Sequence, residues 1–151
     1  MEADMKMQAV MVELRSLSNI IMRYMEKYSN KKKVDAITGT NGWIIAFLSQ
    51  NPDRDIFQRD LEKEFSITRS TASKVVNLMV QKGLIERRPV AGDARLKKLV
   101  LTEKAMGLSH LMMDDCVRAE NRLTEGFTEE ELAQLFSYLA RMKENMSSML
   151  E

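Results

Sequence analysis

Apolar residues recur at steps of three and four in three long stretches of this chain. Over residues 4–29, Met7, Met11, Leu14, Leu17, Ile21, Tyr24 and Tyr28 mark one stripe of a long helix. Over roughly 103–125 the stripe holds Met106, Met113, Cys116, Val117 and Leu123, and Gly126 ends it. Over 129–150 it holds Leu132, Leu135, Phe136, Leu139, Met142, Met146 and Met149. That last helix opens on Thr128 with Glu131 three residues on, a capping box. After the first stripe, the basic run Lys31 to Lys33 reads as the solvated end of its helix and Gly39 to Gly42 as a loop. The run WIIAFLSQ (43–50) predicts a short buried helix, which Asn51-Pro52 stops.

The middle of the chain has a different grain. Asp55 to Phe65 predicts a helix, with Asp55 and Gln58 spaced like a capping pair. Ser66-Ile67 is a turn. Thr68 caps a helix over Arg69–Lys82, and Gly83 supplies its C-terminal stop. Leu84–Arg88 and Leu96–Leu101 read as two antiparallel strands around a Gly92-containing tip of five to seven residues. Two short helices, a tight turn and a basic hairpin form a winged helix-turn-helix. The expected class is mainly α (α+β), with residues 36–102 as the winged unit. The flanking stretches 1–35 and 103–151 are helical. Their three wide stripes exceed what so small a winged core covers, so pairing with a second copy is expected. A bundle folded back on itself is the alternative.

Composition sharpens this picture. The 151 residues fit one domain with appended helices, and two prolines and six glycines favour helices over strands and turns. The net charge of +1 is uninformative, but its distribution is not. Residues 54–104 carry a net +5 and residues 105–151 a net −5, so the basic middle is the part suited to phosphates. A lone Cys116 forms no internal disulfide and suits a reducing cytosol. The N-terminal MEADMKMQAVM shows no secretory pattern, and no run approaches the ~20 apolar residues of a membrane helix. A cytoplasmic location without membrane attachment is expected.

Within the helix at 69–82, Ala72, Val75, Val76 and Met79 form the inward face. Arg69, Ser70, Thr71, Ser73, Lys74, Asn77 and Gln81 remain for solvent or for base edges and phosphates in a major groove. The N-terminal half, from Thr68 to Lys74, is better placed than Asn77. Any amphipathic surface helix leaves such a face; the hairpin that follows separates the readings. There Arg87, Arg88, Arg95, Lys97 and Lys98 crowd into twelve residues, as phosphate or minor-groove contacts would require. Asp93 is expected to pair with and orient Arg95.

The stretches ITRSTASKVVNLMVQKGLIERR and DARLKKLVLTEKA resemble the MarR family of bacterial winged-helix transcriptional regulators. Asp93, Arg95, Leu101 and Thr102 match the family's wing pattern. Ala105 stands where Gly is usual, and Phe57 where a Ser or Thr cap is common. The resemblance runs along the whole chain. It implies a homodimer that binds a pseudo-palindromic operator on double-stranded DNA and usually represses. DNA contacts are expected from Thr68, Arg69, Ser70, Thr71, Ser73, Lys74, Asn77, Arg88, Asp93, Arg95 and Lys97. Release by a small aromatic or anionic ligand is a family habit, and here Tyr24, Trp43 and Phe47 are the candidates to bind one.

Other readings are plainer. Cys116 sits on an apolar stripe beside Asp114 and Asp115, so an inert buried thiol is expected rather than a redox sensor. His110 has no neighbours with metal-ligand spacing. The thirteen methionines suit a pliable core. No Gly-rich phosphate loop, nucleophile elbow or HExxH is present, so no enzyme, metal or cofactor is called for. A winged-helix protein-interaction module that does not bind DNA is the competing reading.

Overall fold

A computed structural model describes residues 2–39 and 41–150, with side chains from Ala9 onward. Met7, placed on the first stripe, has its side chain outside that range, and Thr40 of the predicted loop is also outside it. The element order is α1 (Glu2–Tyr28), α2 (Lys31–Thr38), α3 (Gly42–Gln50), α4 (Gln58–Glu64), α5 (Arg69–Gln81), β1 (Ile85–Val90), β2 (Asp93–Leu101), α6 (Glu103–Leu123) and α7 (Glu129–Ser147). Helices flank one antiparallel two-stranded sheet, as the winged helix-turn-helix pattern predicts. The chain divides into two compact units, residues 1–116 and 117–151.

In the first unit α3, α4, α5 and the sheet enclose one core. Ile44, Ile45, Leu61, Val76, Met79 and Leu84 have no measurable exposure, and Ile56, Ile85 and Leu99 are nearly as buried. Each such side chain stabilises the fold by roughly 1.5–3 kcal/mol relative to leaving it in water. The inward face of α5 is the expected one: Ala72, Val76 and Met79 are buried, and Val75 packs at the edge. Thr68 caps α5, its Oγ1 accepting from the Thr71 amide at 3.2 Å. The α4–α5 turn bends at Ser66, which takes a left-handed φ of 51°, while the Ile67 amide closes back on the Glu62 carbonyl at 3.1 Å.

Three local expectations are corrected. The run Lys31 to Lys33 does not end the first helix; it opens α2, after a break at Ser29-Asn30. Asn30 is held there by Asp115, whose Oδ2 accepts from its backbone amide at 2.8 Å and its Nδ2 at 3.2 Å. The helix expected from Asp55 begins only at Gln58. Ile56 is extended against the sheet, its carbonyl accepting from the Leu99 amide at 2.7 Å, and the working cap pairs the Phe57 amide with Asp60 Oδ2 at 2.8 Å. Asp55 meets Lys98 instead, at 3.0 Å.

The third correction concerns the wing. The strands run on past the expected tip to Val90 and Asp93, leaving Ala91-Gly92 as the link, with Gly92 at φ 89°. A left-handed residue there is nearly free of cost only for glycine. The register jumps from Pro89↔Lys97 to Val90↔Asp93, so Ala94, Arg95 and Leu96 bulge out of the ladder.

The wing is tied at its base. Thr102 Oγ1 donates to the Gly83 carbonyl at 2.7 Å and accepts from the Ala105 amide at 3.3 Å, capping α6. In the second unit, α7 begins on the anticipated box: Thr128 Oγ1 accepts from the Glu131 amide at 3.1 Å, and Glu131 Oε2 accepts from the Thr128 amide at 2.9 Å. Among the described residues no helix is long and apolar enough to cross a membrane.

Gly42 opens α3 where the helix passes closest to its neighbours. A Cβ on it would lie 2.9 Å from Val34 Cγ1 and 3.0 Å from Met112 Cε. Gly42→Ala is therefore expected to destabilise the chain by about 1–3 kcal/mol, read as a lowered Tm. Thr68→Ala should cost about 1 kcal/mol through the lost cap and Thr68→Gly only a few tenths; equal losses in thermal melts would show that the hydroxyl does not stabilise α5.

Candidate nucleic-acid interface

With its inner face buried, α5 leaves a continuous polar face outward. Thr68, Arg69, Ser70, Thr71, Lys74 and Asn77 are exposed and Ser73 is half-buried. The first turn is preorganised: Thr68 Oγ1 donates to Thr71 Oγ1 at 3.0 Å while accepting from the Thr71 amide. The Thr68 hydroxyl thus serves the helix itself. The Arg69 and Lys74 side chains extend into solvent. Polar side chains on the first two turns of a helix of this length suit entry into a major groove.

The wing carries the second group of cations. Arg95 stands on the bulge, exposed, with its backbone amide donating to Asp93 Oδ1 at 2.9 Å. Asp93 was expected to pair with the Arg95 side chain. It instead fixes the main chain of the bulge, a short carboxylate holding the amide two residues on. The guanidinium is left to point outward. Lys97 is exposed opposite Pro89.

Arg87 and Arg88 go to opposite faces of the hairpin, as neighbouring strand residues must. Arg88 pairs with Glu86 at 2.8 Å and, with Lys98, edges a cleft of about 450 Å³ that also holds Arg54 and His110. Arg87 turns the other way, and its Nη2 donates to Asn77 Oδ1 at 2.5 Å. Arg87 was counted among the wing cations in sequence but not among the expected DNA contacts, and its bond to Asn77 was not foreseen. Neither arginine's direction can be read without the strand register.

A separate cavity of about 470 Å³ lies among α1, α2, α3, the end of α4 and α6. Trp43, Phe47 and Phe65 wall it, with ring centroids 4.3 Å apart for Trp43–Phe65 and 5.5 Å for Phe47–Phe65. Asp35, Glu64 and Asp115 line it together with a single cation, Lys31, which pairs with Asp35. Of the three expected ligand contacts, Trp43 and Phe47 both line this cavity, whereas Tyr24 packs on Tyr28 at 5.1 Å and does not. Phe65 was missed because it stands at the end of α4, outside any helical stripe. Cys116 lines this cavity and is half-buried rather than buried. Among the described residues no cluster of His, Cys, Asp and Glu could hold a metal ion.

A model of the MarR family matches residues 37–96, the span from the end of α2 into the wing. The transcription regulator MarR from Oenococcus oeni PSU-1 is 31% identical, covers 91% of this chain and 98% of its own, and superposes with a TM-score of 0.76. The heme sensor protein PefR from Streptococcus agalactiae, in complex with heme, is 25% identical over 93% of this chain and 92% of its own, with a TM-score of 0.55. The adhesin competence repressor from Streptococcus pyogenes shares the fold at 23% identity, with 89% and 95% coverage and a TM-score of 0.60. The helix-turn-helix, the bulged basic wing and a relative at 31% identity along nearly its whole length lead to one assignment: the chain belongs to the MarR family and is a transcriptional regulator.

Proposed function

We propose that the chain works as a homodimeric, sequence-specific DNA-binding regulator that represses from a pseudo-palindromic operator in the bacterial cytoplasm. One observation carries the reading: the uncovered polar face of α5 and the outward Arg95 on its bulge belong to one small, rigidly cored unit. Arg69, Ser70, Thr71, Ser73 and Lys74 would read or grip the major groove, with Thr68 shaping the helix end. Arg95 and Lys97 would meet the backbone or minor groove, Asp93 holding the bulge that presents Arg95. Arg88 would be the less available contact, since Glu86 already pairs with it.

Residues 36–102 would form the DNA-binding region, and 1–35 with 103–151 the dimerisation region. The support is apolar surface left uncovered. On α1, Met11, Leu14, Leu17 and Ile20 are exposed; in the second unit so are Phe127, Phe136, Met142 and Met146. A second copy, related by a two-fold axis, buries such surfaces on both chains. It also sets two recognition helices about 34 Å apart on one DNA face.

The cavity beside Trp43 and Phe47 is the place for a controlling ligand. With Lys31 already paired to Asp35 and Glu64 on the same wall, the cavity favours an aromatic cation or neutral aromatic over the anion that the family resemblance suggests. Of the side chains that can ligate the iron of a heme such as that named for PefR, this cavity offers the sulfurs of Cys116 and Met112 but no histidine, since His110 edges the other cleft.

Selection from a random duplex pool at two salt concentrations should enrich an inverted repeat with half-sites about one helical turn apart. Arg95→Ala should weaken binding on all sequences and lower the salt slope by about one, while Arg69→Ala relaxes base preference at one position. Absence of salt-dependent binding would overturn the reading in favour of a protein-interaction module. A second experiment pairs aromatic amines with acids of the same ring. The amines should raise Tm and weaken DNA binding, and Trp43→Ala should abolish both effects; stabilisation by acids alone would refute the assigned ligand class.

A further inference from the structure

Arg87 and Asn77 join the two halves of the proposed interface. Asn77 lies in the third turn of α5, on its exposed side. Arg87 lies on the wing face shared with Ile85, two residues before it, and Leu99, its cross-strand partner. Ile85 and Leu99 are buried in the core beneath α5, so this face is the one turned toward that helix. The 2.5 Å bond from Arg87 Nη2 to Asn77 Oδ1 spans residues ten apart in sequence. A guanidinium only donates hydrogen bonds, so it engages the amide oxygen and not the NH₂ group. Between α5 and β1 there is otherwise a short connection, Lys82 to Leu84, closed by the Leu84 amide on the Met79 carbonyl at 3.0 Å. That connection fixes where β1 starts. The side-chain bond, farther out, restrains how the wing leans.

Resting on the DNA-binding reading above, we propose that Arg87 is a positioning residue of that interface. Through Asn77 it holds the wing at the angle to α5 from which Arg95 reaches DNA, and it removes Asn77 from base recognition. An asparagine reading adenine must turn both its oxygen and its NH₂ group to the base edge; here the bond to Arg87 turns the oxygen toward the wing. The contribution of Arg87 to affinity therefore runs through Arg95 rather than through a phosphate of its own. Two side chains that act through one another are non-additive, whereas independent contacts add.

The test measures operator affinity of the full chain with Arg87→Ala, Arg95→Ala, the double variant and Asn77→Asp, each checked for folding by thermal melting. Arg87→Ala should weaken binding on all sequences by roughly tenfold, and the double variant should fall no more than about twofold below the weaker single variant. Asn77→Asp keeps an acceptor for Arg87 and makes the bond charge-assisted. It should hold affinity within about threefold and leave base preference unchanged. Additive losses would mean that Arg87 touches DNA itself and would overturn the proposal. So would a loss of tenfold or more, or an altered base preference, in Asn77→Asp, since a carboxylate replacing a DNA-contacting amide is repelled by phosphate. If Arg87→Ala does not fold, Asn77→Asp decides alone. Failure of the unmodified chain to bind DNA at all would overturn the DNA-binding reading and this proposal together, whereas binding by the unmodified chain with either adverse variant result overturns the proposal only.

Discussion

Everything at the interface depends on how α5 is buried. Val76 and Met79 are sealed in one cluster with Ile44, Ile45, Leu61 and Leu84, and Ala72 is fully buried on the same face, since side chains four apart on a helix share a face. Once those positions face the core, Arg69, Ser70 and Lys74 have no choice but to face outward. The same core anchors the first residues of the wing, because Leu84 and Ile85 are also sealed within it. A helix that rolled on this bed would carry its polar face and the root of the wing with it. Close packing makes such rolling costly, since every buried side chain would lose its contacts together.

The wing solves a different problem, presenting a cation away from the sheet without surrendering the sheet. Five cross-strand pairs from Ile85↔Leu101 to Pro89↔Lys97 keep the base regular. The bulge then lets three residues leave the ladder, and Asp93 recovers part of the lost bonding by accepting the Arg95 amide. The acidic residue in the middle of a basic hairpin is thus explained by backbone geometry rather than by charge pairing.

Helix α3 links the interface to the cavity. Ile44, Ile45 and Leu48 face the core that supports α5, while Trp43, Ala46 and Phe47 face the cavity. Nine residues leave little room for the two faces to move independently. Gly42 tightens the arrangement further, because its missing side chain lets α3 approach Val34 and Met112 closely. An occupant pressing on Trp43 acts on the same short rod that carries the floor of the recognition helix. This geometry gives the proposed ligand control a physical route that needs no contact between a ligand and the outward face of α5.

Much of this was legible in the sequence. Helical stripes, the caps at Thr68 and Thr128, and the inward face of α5 follow from spacing and local hydrogen bonding, which act within a turn or two of chain. The basic wing and the outward polar face of α5 follow from the same local rules. What escaped depends on partners far along the chain. The break at Asn30 is held by Asp115, eighty-five residues on. Asp55 and Ile56 stay extended because Lys98 and Leu99 claim them from the sheet, overriding a plausible local cap. Arg87 and Arg88 are equivalent in sequence and opposite in space, since only the strand register assigns a face. The aromatic cavity likewise needs Phe65 brought beside Trp43 and Phe47 by the packing of α4 on α3. The sequence determined which faces were apolar and which charged; tertiary structure decided which of those faces meet, because that depends on long-range pairings that no local pattern encodes.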